Sequence, residues 1–199
     1  MKKQSKLFLL TIIAILSTTF CLSAQNQKEL SFKKTLKEVV LLCVNKDSTA
    51  LLKYIDKKTG VLFFYRPGTM DTYSNVEALS FNELVYPHIN VATDIKISVL
   101  KYSKLPEYSC DKESWSKIGC YVDTTKIDHL LSNTAKNLVE YMEVEISKQT
   151  ITDFQNLESK IRRFVIVAPS DNSFILYLSY INKKWYLTMI EQFTDDCGA

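Results

Sequence analysis

Apolar positions at Phe32, Leu36, Val39, Val40 and Cys43 recur at the helical period, and this single stripe predicts an amphipathic helix capped by Ser31. Asn45 and Asp47 end it, and Asp47 or Ser48 caps a second short helix through Ala50, Leu51, Leu52 and Ile55. A turn at 57–60 leads into Val61, Leu62, Phe63, Phe64 and Tyr65, an unbroken apolar run that predicts a buried strand stopped by Pro67 and Gly68. Over 69–94 the pattern is weak, with one helical turn expected from Ser80 to Leu84. Alternation at Ile95, Ile97 and Val99 predicts a strand over 95–102. Helices are expected at 126–132, at 137–146 and, capped by Thr152, at 152–161. The C-terminal third carries the clearest strands, 164–167, 174–181 and 185–193, joined by the turns at 170–173 and 182–184. Helices first and a meander last give an α+β class: N-terminal helices packed on a curved antiparallel sheet that ends in a three-stranded meander.

The pattern before this domain is different. Lys2, Lys3 and Lys6 precede an apolar run from Leu7 to Leu16, and Ser23 and Ala24 stand ahead of Gln25. That is the layout of a secretory signal peptide, cut between Ala24 and Gln25. A membrane span needs about 20 apolar residues, so no span is expected after cleavage. Cys21 offers a lipid anchor as the alternative, which Phe20 before it disfavours because the processing peptidase takes a small residue there. The expected organisation is a signal at 1–24 and one domain at 25–199, periplasmic or secreted.

Cleavage changes the charge. The formal +3 of the chain comes from three lysines in residues 1–24, and the remainder balances 22 acidic residues. A neutral, interspersed surface lacks the field that nucleic-acid binding needs. The pairs Lys33-Lys34, Lys57-Lys58, Arg162-Arg163 and Lys183-Lys184 read as solvated faces and turns.

Cys43, Cys110, Cys120 and Cys197 remain, an even number in an exported chain, which reads as a disulfide framework. Proximity favours Cys110–Cys120, with Cys43–Cys197 as the second bridge. Alternatively Cys43, on the apolar helix face, is a buried thiol. No cysteine or histidine spacing suits zinc, and neither metal nor cofactor is expected.

Residues 31–64 and 164–193 resemble the nuclear-transport-factor-2-like and cystatin-like folds, in which N-terminal helices lie in the concave side of a bent sheet. The stretch Lys184 to Thr188 with Cys197 beyond it also resembles uncharacterised secreted bacterial domains that end in such a strand. These resemblances imply a fold; they imply no activity.

Tyr65, Arg66, Asp71 and Tyr73 are the first candidate site, a guanidinium, a carboxylate and two phenols at a strand end. They suit a small anionic ligand or an envelope protein; the same residues also make an ordinary strand end with Arg66 paired to Asp71. His88 and His129, the acids Glu140, Glu143 and Glu145, and the pair Asp195-Asp196 read as capping or solvated groups. No nucleophile elbow, phosphate-cradling loop or metalloprotease helix occurs. The expected function is a non-enzymatic module binding a small molecule or envelope protein. The alternative is a small hydrolase or isomerase with a pocket between sheet and helices.

Overall fold

The computed structural model describes residues 25–85, 87–123, 130–192, 194–195 and 197. The export signal expected at 1–24, His129 and Asp196 lie outside them. Among the described residues no helix is long and apolar enough to cross a membrane.

Helix α1 is present at residues 25–44 and continues upstream of Ser31, whose hydroxyl donates to the carbonyl of Lys28 and caps nothing. Its predicted stripe is buried throughout. Helix α2 (Ser48–Leu51) is capped by Asp47, which accepts from the amide of Ala50, and runs into a 3₁₀ turn at Leu52–Tyr54. Strand β1 (Val61–Tyr65) forms where the apolar run predicts it. Gly60 precedes it at φ +68, where a Cβ would meet Asn75 Oδ1 at 2.3 Å.

Strands β2 (Thr72–Val76), β3 (Leu100–Tyr102) and β6 (Gly119–Val122) join the long meander β7 (Ile161–Val167), β8 (Ser173–Ile181) and β9 (Lys184–Gln192) in a seven-stranded sheet of order β2-β1-β9-β8-β7-β6-β3. The α+β class and the meander stand as expected. The sheet, however, is mixed: β1 runs parallel to β9, and β3 parallel to β6. The strand expected at 95–102 is confined to its last three residues. The helix expected at 80–84 is replaced by a bridge between Ser80 and His88. Helix α3 spans Leu130–Met142 and ends early because Glu143 takes φ +54; α4 (Lys148–Glu158) begins at Ser147, upstream of the predicted Thr152. A hairpin of β4 (Tyr108–Ser109) and β5 (Ser114–Trp115) stands apart from the sheet.

Period-two alternation gives the sheet two apolar faces. On the first, Val61, Phe63, Phe164, Ile166, Leu176 and Leu178 pack on α1 and α2. On the second, Leu62, Phe64, Val165, Val167, Ile175 and Tyr177 meet α3, α4 and Trp115 of the hairpin. A bulge in the β8–β9 ladder makes Thr188 an extra residue, and its hydroxyl pairs with Ser179 Oγ at 2.7 Å. Leu187 and Ile190, three residues apart, therefore share the first face, while Met189 turns to the second.

Neither expected disulfide forms. Cys110, at the end of β4, bonds Cys197 across a Cα separation of 5.7 Å, whereas Cys43 and Cys120 are buried thiols. The reason is the sheet itself. Alternation in β6 aims Cys120 at the α1 face, where Cys43 also lies. Cys110 belongs to the hairpin that covers the other face.

Candidate functional site

The four residues at the end of β1 do not converge. Phe64 and Tyr73 face each other across the β1–β2 ladder on the second face, with stacked rings 6.2 Å apart, and Phe154 of α4 meets Tyr73 edge-on at 5.2 Å. Tyr65 points to the first face beside Phe63, its hydroxyl 3.4 Å from Ser74 Oγ. Arg66 Nε donates to Asp71 Oδ1 at 2.7 Å in a half-buried turn. The strand thus divides the two phenols between opposite faces, and the turn closes the guanidinium on the carboxylate.

The lesser candidates are equally dispersed. His88 Nδ1 is buried without a hydrogen-bond partner among the described residues, on the loop bridged to Ser80. Glu140 ends up near the close of α3, and Glu143 lies beyond it in a left-handed conformation, so the two are not one helical turn apart. Asp195 accepts from Ser173 Oγ at 2.5 Å. Among the described residues no group of three or more His, Cys, Asp or Glu is placed to hold a metal.

Convergence occurs elsewhere, on the second sheet face. Arg163 of β7, Tyr177 of β8 and Glu191 of β9 lie on three adjacent strands, with Arg163 directly opposite Tyr177 and Ile175 opposite Glu191. The bulge at Thr188 is what turns Glu191 to this side. Glu191 has a fully buried side chain, and Arg163 Nη2 donates to its Oε1 at 2.8 Å. The hydroxyl of Thr194 accepts from the same Nη2 at 2.9 Å and donates to Oε1, while Tyr177 donates to Oε2. Every oxygen of the buried carboxylate is thereby satisfied, as burial of a charge demands.

Electrostatics keep the arrangement charged at one end and neutral at the other. Burial opposes the Arg163 charge, but Glu191 foremost, with Tyr177 and Asp123, outweighs it and holds the guanidinium above its ordinary value. Burial and then the charge of Glu191 push the Tyr177 phenol well above its ordinary value, so it remains a donor.

Arg163 also lines an open cleft of about 640 Å³. The walls are Lys104, Leu105, Pro106 and Tyr108 on one side and Asp123 and Thr194 on the other. Lys104 is bound to Glu107 at the rim at 2.5 Å. No described residue accepts a hydrogen bond from Arg163 Nη1, and Nε is buried without a partner among them. The Cys110–Cys197 bridge joins the ends of the two walls. The cleft therefore offers a fixed guanidinium beneath an apolar and aromatic wall, a combination typical of ligand sites.

Sequence reasoning treated Arg162-Arg163 as a solvated pair and passed over Glu191. A signal was present. Continuing the alternation of Val165 and Val167 back one step places Arg163 on an apolar face, where a charge needs a partner. Arg162, on the opposite face, lies over Phe32 and Trp185 and bonds Glu29 at 2.7 Å.

No family model, curated protein or solved structure matches the chain.

Proposed function

We propose that residues 1–24 are a cleaved export signal and that residues 25–199 act in the periplasm or outside the cell as a non-enzymatic module, binding a small ligand or a protein partner in the Arg163 cleft. The observation that carries this reading is the clamp behind Arg163, in which a fully buried carboxylate and a hydroxyl fix one guanidinium nitrogen and leave another without an acceptor among the described residues. A buried ion pair adds little stability over apolar residues of the same volume, so its retention is better explained by orientation. A donor fixed in advance loses little freedom when a ligand arrives.

Binding is favoured over hydrolysis or isomerisation by the burial of the proton-carrying groups. Tyr177 and Glu191 lie beneath the surface, out of a substrate's reach. Export is supported by the Cys110–Cys197 disulfide, a bond that persists in oxidising compartments. The resemblance to nuclear-transport-factor-2-like domains belongs to this proposal as well, since those folds place binding modules on such a sheet.

The test is retention of compounds from envelope extract by the immobilised mature domain, read by mass spectrometry. A compound held by the wild type and lost from both Arg163→Lys and Tyr108→Ala supports the proposal. Retention that survives both changes but is abolished by Arg66→Ala contradicts it.

A further inference from the structure

The head of α1 is fixed from its fourth described residue onward. The indole of Trp185 donates to the carbonyl of Lys28 at 3.2 Å, and Lys28 Nζ stands 4.3 Å from the ring centre of Tyr180. Glu29 accepts from Arg162 Nη1 at 2.7 Å and from Tyr102. Gln25 is exposed and begins the described part of the helix, and its side chain makes no hydrogen bond to any described residue. With Asn26, Lys28, Glu29 and Arg162 it lines a shallow hollow of about 370 Å³.

Cleavage after Ala24 makes Gln25 the first residue, with its free amine at the positive end of α1 and in a hollow that holds two cations. Glu29, the one acid among the described residues that line it, is already bonded to Arg162 and Tyr102. The helix dipole and these charges disfavour an ammonium at that place, which favours the uncharged amine, the form that attacks. We infer that the mature chain is blocked by cyclisation of Gln25 to pyroglutamate. The amine nitrogen attacks the side-chain carboxamide carbon, the new C–N bond closes a five-membered lactam, and the amide nitrogen leaves as ammonia after taking up the proton released by the amine. No oxidant or cofactor is needed.

The product suits the helix. A ring through the backbone nitrogen at the first helical position constrains φ much as proline does there, and the one N–H that the lactam keeps needs no helical partner. The charge is removed as well, in the way that terminal acetylation removes it. A blocked end also closes the chain to aminopeptidases of the envelope, leaving the Lys28 and Glu29 anchors intact.

This inference rests on the export reading, and intact mass separates the two. Full-length protein is expressed with its export segment, recovered fresh from the envelope or medium, and weighed beside a Gln25→Asn variant, whose own amine could close only a strained four-membered ring and therefore stays free. The expected wild-type mass is that of residues 25–199 with the disulfide closed, less one ammonia. Amine-directed labelling should miss its N-terminus while labelling that of the variant, and aminopeptidase should shorten only the variant. A wild-type chain starting at Gln25 with a reactive amine overturns the cyclisation and leaves export standing. A chain that retains its N-terminal lysines overturns both.

Discussion

Arg163 and Glu191 stand two strands apart, and Nη2 of the first donates to Oε1 of the second at 2.8 Å across the strand that carries Tyr177. Removing either partner leaves the other charge buried. Glu191→Ala should lower the unfolding free energy by roughly 3–5 kcal/mol, measured by urea denaturation. Because the two groups act together, Arg163→Ala added to it should cost much less than on its own. A loss of under about 1 kcal/mol for Glu191→Ala would show that the carboxylate is not confined as described.

The helix stripe and the meander were legible because each is a local pattern that one apolar face imposes. Phe32, Leu36, Val39, Val40 and Cys43 are all buried, and β7 to β9 fall within a few residues of their predicted bounds. The parallel pairing of β1 with β9 was not legible, since Phe64 and Glu191 are neighbours only through the fold. Nor was the bulge. Strict alternation from Trp185 would put Glu191 on the helix face with Leu187, and only the extra residue at Thr188 reverses it. The site was missed for that reason, and the Cys110–Cys120 bridge was wrongly expected because proximity in sequence ignores which face a strand residue takes.

The disulfide closes a long loop, with Cys110 and Cys197 separated by 87 positions. Replacing both by Ser in the mature domain should cost about 3–5 kcal/mol by chain-entropy reasoning, read from urea denaturation. Peptide mapping under non-reducing conditions should recover a Cys110–Cys197 cross-link. Cys43, whose thiol burial pushes up to about 12, should resist alkylation in the native state and react on unfolding. A Cys43–Cys197 peptide would contradict the arrangement.

Acid should loosen the head of α1. Partial burial opposes the charge of Glu29, but hydrogen bonds from Tyr102 and Arg162 and the charges of Arg162 and Lys33 hold its carboxyl below its ordinary value. A lowered folded-state value means stability that is fully present above the ordinary carboxylate range, about pH 4.3, and is lost as the pH falls from there through the lowered folded value. Unfolding free energy measured from neutral pH downward should therefore fall less steeply in Glu29→Gln than in the wild type, with the difference reduced by salt. Equal slopes would remove Glu29 from the acid response.

Gly60 enters β1 at φ +68 against the side chain of Asn75. Gly60→Ala should destabilise by more than about 1 kcal/mol, and pairing it with Asn75→Ala should recover the part due to the clash but not the part due to φ. Thermal unfolding of the two variants checks this; an unchanged midpoint for Gly60→Ala would mean that the turn relaxes freely.

The central claim is that ligand meets the chain at Arg163. Its most direct test is an amide-resolved NMR titration of the mature domain with a compound retained from envelope extract. Shifts confined to 104–108, Asp123, Arg163 and Thr194, with affinity falling at least about tenfold in Arg163→Lys, are the result expected. Shifts gathered at Arg66 to Tyr73, or an affinity that Arg163→Lys leaves unchanged, would contradict it.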